Sequence, residues 1–130
     1  MNIVIDFDGT CVSHEFPMIG NDIGSIPVLK KLISNGHCLI LFTMRCDSKY
    51  GKFLSEAVEW FIKNGIPLYG IQKNPTQLEW TTSPKAFGDL IIDDTALGCP
   101  LKFDEIISKK EFVDWVKVEK MLIEMGVIKK

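Results

Sequence analysis

The sequence predicts an α/β protein built around a parallel β-sheet. Three apolar segments have the length and character of buried strands: residues 3–5 (IVI), 37–43 (HCLILFT) and 89–93 (DLIID). Segments in which apolar residues recur at helical spacing separate them. Strands that alternate with helices are typical of parallel sheets with right-handed crossovers, so we predict a doubly wound, Rossmann-like sheet flanked by helices.

The composition is that of an ordinary folded protein without a membrane segment. The 130 residues are 46% hydrophobic and 25% charged, with a net charge of −2, and we interpret residues 1–130 as a single domain. No apolar segment reaches transmembrane length, and the first residues lack the pattern of a signal peptide. Because no sustained basic run is present, we expect no broad nucleic-acid-binding surface.

The cysteines lack the spacing of a zinc site. Cys11, Cys38, Cys46 and Cys99 include no C-x-x-C pair, and the two histidines complete no ligand pattern. Free thiols in a reducing compartment are the simplest interpretation, so we predict a cytoplasmic protein.

The first elements follow from local signals. Residues 2–6 form the first strand, and residues 11 to about 24, which contain Pro, Gly and Asn, form a loop that we name the flap. A helix follows, capped by Asp22 or Ser25, with Pro27 near its first turn. Its apolar stripe is Val28, Leu29, Leu32 and Ile33, and Asn35-Gly36 ends it.

The later elements complete the alternation. Residues 48–64 have the clearest helical periodicity, and a short strand is predicted at 68–71. Residues 72–84 are polar, contain two prolines and predict a loop. The strand at 89–93 precedes a final helix from about 109 to 125, whose predicted buried residues are Phe112, Val116, Leu122 and Ile123.

Polar side chains follow three of the predicted strands. Asp6 and Asp8 end the first strand, Thr43 ends the second, and Asp93 and Asp94 end the last. The carboxyl ends of parallel strands lie at one edge of the sheet, where ligands of such folds bind. Four carboxylates around one crevice repel one another unless a cation neutralises them, and oxygen ligands suit Mg²⁺. The sequence therefore predicts a magnesium site at this edge.

The first acidic pair has the residues that nucleophilic catalysis needs. One carboxylate is able to attack an electrophile, and a second, two residues on, is able to transfer a proton. Alternation along an extended chain directs Asp6 and Asp8 to the same side. Gly9 permits a sharp turn after them, and Thr10 can form hydrogen bonds within that turn.

Donors for an anionic group are also present. Thr43 offers a hydroxyl, and Arg45 offers a guanidinium suited to phosphate oxygens, with a surface salt bridge to Asp47 as its equally weighted alternative. Lys85, eight residues before the last acidic pair, is the predicted phosphate-binding lysine, and Lys73 is a substitute for it. Acids, a hydroxyl, a lysine and further acids in this order indicate a phosphoryl-transfer site.

At these residues the chain resembles the haloacid dehalogenase superfamily of phosphotransferases. DFDGT (6–10) is similar to its first motif, LILFT ending at Thr43 to its second, and SPKAFG with Lys85 to its third. DLIIDD, ending at Asp93-Asp94, is similar to its fourth. Together the motifs span residues 2 to about 95.

The resemblance implies roles for these residues. Asp6 is the expected nucleophile that forms an aspartyl-phosphate, and Asp8 the acid that protonates the leaving group and then activates water. The phosphoryl oxygens are expected to be held by Thr43 and Lys85. The expected Mg²⁺ ligands are Asp6, the backbone carbonyl of Asp8, and Asp93 or Asp94, of which Asp93 is favoured. Residues expected to contact substrate are Gly9, Thr10, Thr43, Arg45 and Lys85.

The intervals between the motifs have no room for a sizeable cap domain. The chain therefore resembles the small capless phosphatase-like proteins of bacteria and phages, in which an open site suits large substrates or is covered by a neighbouring subunit. A phosphorylated substrate, large in size, and a homo-oligomer are the partners that this implies. The flap residues His14, Glu15 and Phe16 are then expected near the substrate.

Several functions fit these residues. A phosphomonoesterase is the main prediction, with a 5′-deoxyribonucleotidase-like or polynucleotide-end phosphatase as a narrower form. A signalling receiver domain has similar residues, but its acidic pair follows the first strand and its acceptor Asp the third, which is the wrong order here. A catalytically silent module that binds a phosphorylated ligand is the remaining alternative. Trp80, in the polar loop, is the aromatic residue that we predict as a substrate or dimer contact, whereas Trp60 and Trp115 are predicted to pack in the core.

Overall fold

A computed structural model describes residues 1–130 and contains eight short strands and three helices. The strands are β1 (Asn2–Ile5), β2 (Cys38–Leu41), β3 (Asp47–Ser48), β4 (Gly51–Lys52), β5 (Gly70–Ile71), β6 (Leu90–Ile92), β7 (Leu101–Lys102) and β8 (Phe112–Val113). The helices are α1 (Ser25–Ser34), α2 (Phe53–Lys63) and α3 (Trp115–Glu124).

The central sheet has four parallel strands in the order β5-β2-β1-β6. Ile5, at the end of β1, pairs with Leu41 of β2 and with Ile92 of β6, so these three strands end at the same edge. Strands β1, β2 and β5 lie side by side in the order in which they occur along the chain. Strand β6 then lies on the opposite side of β1. The prediction of an α/β protein with a central parallel sheet and flanking helices is confirmed.

The helices pack on one face of this sheet. Ile3 and Ile5 of β1 belong to a core cluster with residues of all three helices, among them Leu29, Phe61 and Val118. Burial of these side chains stabilises the fold by roughly 2 kcal/mol each. Phe7, just beyond β1, packs edge-on against Trp60, with ring centroids 5.6 Å apart. Trp115 is also buried, so the core positions predicted for Trp60 and Trp115 are confirmed.

The opposite face of the sheet is covered without an α-helix. Val4 and Ile40 project there and pack against Ala86, within the segment that joins β5 to β6. The only regular structure in that segment is a 3₁₀ turn at Gln77–Glu79. Prolines in this segment and its polar composition disfavour a longer helix. Helices therefore flank the sheet on one side, and a hydrogen-bonded loop covers the other.

Two helices begin later than predicted, because a strand pair occupies each predicted first turn. Residues 47–52 form the β3–β4 hairpin, so α2 begins at Phe53 instead of residue 48. β8 pairs with β7, so α3 begins at Trp115 instead of about residue 109, capped by Asp114, which accepts a hydrogen bond from the Lys117 N–H. Val116 is 80% exposed, and its prediction as a core residue is wrong.

Helix α1 begins at a backbone cap. Gly24 is the N-terminal cap with φ of 89°, and no side chain caps the helix. Neither predicted cap serves: Asp22 accepts a hydrogen bond from the Gly24 N–H, and the Ser25 hydroxyl donates to the Cys11 carbonyl. All four cysteines are free, as predicted. No helix has both the length and the apolar character that crossing a membrane requires.

Candidate functional site

Three carboxylates meet where β1 and β6 end side by side. The Asp6 N–H donates to the Ile92 carbonyl at 3.1 Å, so the ladder between the strands continues up to the acidic residues. One carboxylate oxygen from each of Asp6, Asp93 and Asp94 lies within 4.8 Å of the other two. Strand register thus brings together acids that lie almost ninety residues apart in sequence.

Thr10 joins the two acidic segments. Its buried hydroxyl donates to Asp6 Oδ2 at 2.7 Å and accepts the Asp94 N–H at 3.0 Å. Gly9 has φ of +83°, and a Cβ at this position would collide with Asp94 Oδ2. Both residues are buried beneath the carboxylates. Gly9 and Thr10 were predicted to bind substrate; the structure instead places them as supports that hold the acids.

Burial makes the ionised carboxylates unfavourable in this cluster. Desolvation raises the pKa of Asp6 to about 7; the Asp93 charge adds to this, while the hydrogen bond from Thr10 acts in the opposite direction. Desolvation also raises the pKa of Asp94, and the proximity of Asp93 adds to it. A cation bound among these oxygens would relieve both effects.

The donor set fits Mg²⁺. In an octahedral site with Mg–O distances of about 2.0–2.1 Å, ligand oxygens lie about 2.9 Å apart when adjacent and about 4.2 Å apart when opposite. The oxygens of Asp6, Asp93 and Asp94, all within 4.8 Å of one another, have separations of this order. Hard carboxylate oxygens are also the ligands that Mg²⁺ prefers. Asp93 and Asp94 both belong to the group, so both are candidates for the direct ligand.

Asp8 is held by Arg45. Arg45 Nε donates to Asp8 Oδ2 at 2.7 Å and Nη2 donates to Asp8 Oδ1 at 2.8 Å, which forms a two-pronged ion pair. The remaining N–H groups donate to backbone carbonyls: Nη1 to Pro17 and Phe53, and Nη2 to Met18. All five guanidinium N–H donors are thus used within the chain.

This arrangement corrects both interpretations of Arg45. The Arg45 side chain is 1% exposed and has no N–H left for a phosphoryl oxygen, so the predicted direct substrate contact is not formed. The surface salt bridge to Asp47 is also wrong, since Asp47 accepts hydrogen bonds from Ser55 instead. A buried, fully bonded guanidinium depends on carbonyls from the flap, which the sequence around Arg45 does not reveal.

Thr43 lies at the cavity with its hydroxyl proton free. Thr43 Oγ1 accepts the Arg45 N–H at 3.1 Å, so the hydroxyl remains able to donate to a ligand oxygen. Gln72 holds this segment through both ends of its amide, accepting the Thr43 N–H at 2.9 Å and donating to the Thr43 carbonyl at 2.7 Å. Gln72 has φ of 64° directly after β5, and no sequence signal identified it.

The acids open into a cavity of about 460 Å³. Its other walls are formed by the flap, the segment after β2, and residues beside the acids: Asp8, His14, Phe16, Thr43, Met44, Arg45 and Thr95. A second cleft of about 830 Å³ adjoins it through His14 and Phe16, between the flap and residues 105–110. His14 and Phe16 therefore lie beside the acids, and Glu15 lies in the second cleft, where it accepts a hydrogen bond from Ser108; that these residues approach a substrate stays a prediction.

A solved structure has a fold similar to this one over nearly the whole chain. The conserved protein coded by a locus of Bacteroides thetaiotaomicron is 34% identical, with a TM-score of 0.75 over 96% of this chain and 91% of that one. The chain belongs to the same family as that protein. No protein-family model and no curated protein matches the sequence.

In this family member the predicted lysine is not brought to the acids. Lys85 is exposed on the segment that covers the second face, where its carbonyl accepts a hydrogen bond from Gln77, and it does not line the cavity. Lys73 directly follows Gln72, at the sheet edge that bears the acids, and its side chain is exposed. Trp80 is 64% exposed and meets the ring of Phe87, so it stays available for the predicted contact.

Proposed function

We propose that the protein is a Mg²⁺-dependent phosphomonoester hydrolase of the haloacid dehalogenase superfamily, acting in the cytoplasm through an aspartyl-phosphate on Asp6. The observation that carries this proposal is the convergence of Asp6, Asp93 and Asp94 at one sheet edge, with Thr43 and Asp8 on the wall of the same cavity. Such a constellation supplies a nucleophile, a metal-binding group, an anion donor and an acid–base residue together.

The chain's residues divide the reaction into two displacements. An Asp6 oxygen attacks phosphorus, the bond from phosphorus to the leaving-group oxygen breaks, and Asp8 gives that oxygen a proton. Water then attacks the phosphorus of the phosphorylated Asp6 while Asp8 takes a proton from it; the bond from phosphorus to the Asp6 oxygen breaks, so inorganic phosphate leaves and the Asp6 carboxylate is regenerated. Bound Mg²⁺ would supply positive charge beside the phosphoryl oxygens. The Thr43 hydroxyl donates to one of these oxygens.

The ion pair with Arg45 favours one role of Asp8 over the other. As a base, Asp8 acts in the ionised form that accepts the two Arg45 hydrogen bonds. As an acid, it must carry a proton on an oxygen that already accepts an N–H. We therefore propose that, when substrate binds, the Asp8 carboxyl group rotates or shares its proton with the leaving-group oxygen. Catalytic contacts often tighten only in the complex.

The fold supports the proposal through the position of the site. Ligands of open, mostly parallel α/β sheets bind beyond the carboxyl ends of the strands, where the strand order reverses. In this sheet that position lies between β1 and β6, the two strands that bear the acids. The motif intervals hold only the flap, helices and short strands, so the capless form and a large substrate belong to the same proposal.

Release of phosphate tests this function. The wild type is assayed with and without Mg²⁺ on sugar phosphates, nucleotides, 5′- and 3′-phosphorylated oligonucleotides and phosphopeptides. We expect Mg²⁺-dependent turnover that is lost in Asp6→Asn and retained in Asp22→Asn, a matched change at an exposed aspartate outside the cavity. Preference for nucleotides or for oligonucleotide ends would select the narrower phosphatase functions.

The silent binding module is the second candidate. Two observations favour it: Arg45 engages both oxygens of Asp8, and no lysine lines the cavity. This candidate predicts that the folded protein binds Mg²⁺ and inorganic phosphate together but releases no phosphate from any ester. Calorimetric titration of phosphate in the presence of Mg²⁺, run beside the turnover assay, separates the two functions.

A further inference from the structure

The guanidinium of Arg45 connects Asp8 to the flap. Two of its N–H groups donate to the Asp8 carboxylate, and two others donate to the carbonyls of Pro17 and Met18, at 3.3 and 2.9 Å. Both carbonyls belong to the flap, which forms one wall of the candidate cavity. The position of the Asp8 carboxylate and that of the flap are therefore fixed by the same planar group.

Two aromatic rings hold this group in place. The Arg45 guanidinium carbon lies 5.1 Å from the ring centroid of Phe7 and 5.1 Å from that of Phe16. Phe7 is anchored in the core, whereas Phe16 is 49% exposed on the flap. A lysine has neither the planar fork nor the stacking surface, so it cannot reproduce these contacts.

Arg45 contributes to the wall of the cavity but is almost fully buried in it. Side-chain exposure is 1% for Arg45 and 11% for Asp8, so the carboxylate reaches the cavity and the guanidinium does not offer a free N–H to it. Any effect of Arg45 on substrate chemistry must therefore pass through Asp8 or through the flap.

We propose that Arg45 is a positioning residue that aims the Asp8 carboxylate at the leaving-group oxygen and keeps the flap closed over the same cavity. This inference rests on the proposed hydrolase function. Proton donation matters most for esters with poor leaving groups, such as alkyl phosphates, and least for activated aryl phosphates, whose leaving groups depart without a proton. A misaimed Asp8 therefore changes the selectivity between leaving groups.

The test compares Arg45→Lys and Arg45→Ala with the wild type on an alkyl phosphate and on 4-nitrophenyl phosphate. We expect kcat on the alkyl phosphate to fall by a factor about tenfold greater than on the aryl phosphate. Guanidinium ion added to Arg45→Ala, at concentrations that leave the wild type folded, should restore part of the alkyl phosphate turnover. Lys31→Gln, which breaks an exposed ion pair with Glu119, is the control and should change neither rate.

The outcomes separate this inference from the proposed function. A wild type without turnover overturns both. Turnover in the wild type, with equal losses on the two substrates in folded Arg45 variants and no guanidinium rescue, overturns the positioning role alone. If neither Arg45 variant folds, Phe16→Leu decides, because it removes one ring from the guanidinium and keeps the five hydrogen bonds: a greater loss on the alkyl phosphate supports the role, and an unchanged selectivity overturns it.

Discussion

The hydroxyl of Thr10 donates to Asp6 Oδ2 at 2.7 Å and accepts the backbone N–H of Asp94 at 3.0 Å. One buried side chain thus joins the carboxylate that follows β1 to the backbone that follows β6. The distance between the two acidic segments, and with it the geometry of the candidate metal site, depends on this hydroxyl.

Thr10→Val removes the hydroxyl and keeps the shape of the side chain. The Asp94 N–H loses its acceptor, which is fully buried, and Asp6 loses a donor, so we expect the free energy of unfolding to fall by about 1–3 kcal/mol. Urea denaturation measures this loss. Thr82→Val, at an exposed position, is the control. Equal stability of Thr10→Val and wild type would mean that the bridge does not stabilise the fold.

Gly9→Ala tests the close approach of the backbone to Asp94. The variant suffers both a positive φ and a collision with Asp94 Oδ2, whereas Gly36→Ala has the same positive φ and no atom within 4 Å. Gly36→Ala should therefore lose only about 1–2 kcal/mol of stability. We expect a larger loss in Gly9→Ala, together with weaker Mg²⁺ binding by calorimetry. If the two variants lose equal stability and both bind Mg²⁺ normally, Asp94 is not held by this contact.

Stability without metal should depend on pH through Asp6. Its pKa is about 7 in the folded protein against an ordinary value of 3.8, so the folded state binds this proton more tightly than the unfolded state. The contribution of Asp6 therefore stabilises the protein below about pH 4 and is lost as the pH rises through about 7. In EDTA, Tm should decrease between pH 5.5 and pH 8 by more in the wild type than in Asp6→Asn. Added Mg²⁺ should raise Tm at pH 8 more than at pH 5.5, and a pH-independent effect of Mg²⁺ would contradict this.

We expect substitutions of Lys73 and Lys85 to have different effects on turnover. Neither lysine lines the cavity, but Lys73 directly follows Gln72, whose amide holds the Thr43 backbone, whereas Lys85 lies on the segment that covers the second face. We therefore expect Lys73→Ala to lower kcat/KM by about tenfold or more through lost stabilisation of the phosphoryl group. Lys85→Ala is the matched comparison and should stay near the wild type. If only Lys85→Ala loses most of its kcat/KM, Lys85 is the phosphate-binding lysine, as its spacing to Asp93 in the sequence predicted.

The acidic cluster was predictable because its cause is local. Short apolar strands followed at once by Asp6 or Asp93 identify both the strands and their carboxyl ends, and parallel pairing then brings the acids together. The late starts of α2 and α3 were not predictable in this way. Residues 48–52 and 109–114 contain too few apolar residues to mark where each helix begins, and pairing between strands, as between Asp47 and Lys52, occupies them instead.

The contacts of Arg45 and Gln72 could not be predicted from the sequence, for a different reason. Arg45 is bonded to carbonyls of Pro17 and Met18, which are backbone groups that any residue type would supply. Gln72 likewise bonds to the backbone of Thr43. Because a backbone carbonyl is present in every residue type, the sequence does not show which residues bond to Arg45. Only the folded structure shows that Arg45 binds both Asp8 and the flap.

The loop-covered face of the sheet has a consequence for how the molecule opens. The segment between β5 and β6 is held over Val4 and Ile40 largely by side chains: Asn74 bonds to the Phe87 carbonyl, and Gln77 to the carbonyls of Ser83 and Lys85. Such contacts break individually, whereas a helix opens as a cooperative unit. We expect proteolysis and amide exchange to begin in this segment while the acidic edge of the sheet stays protected.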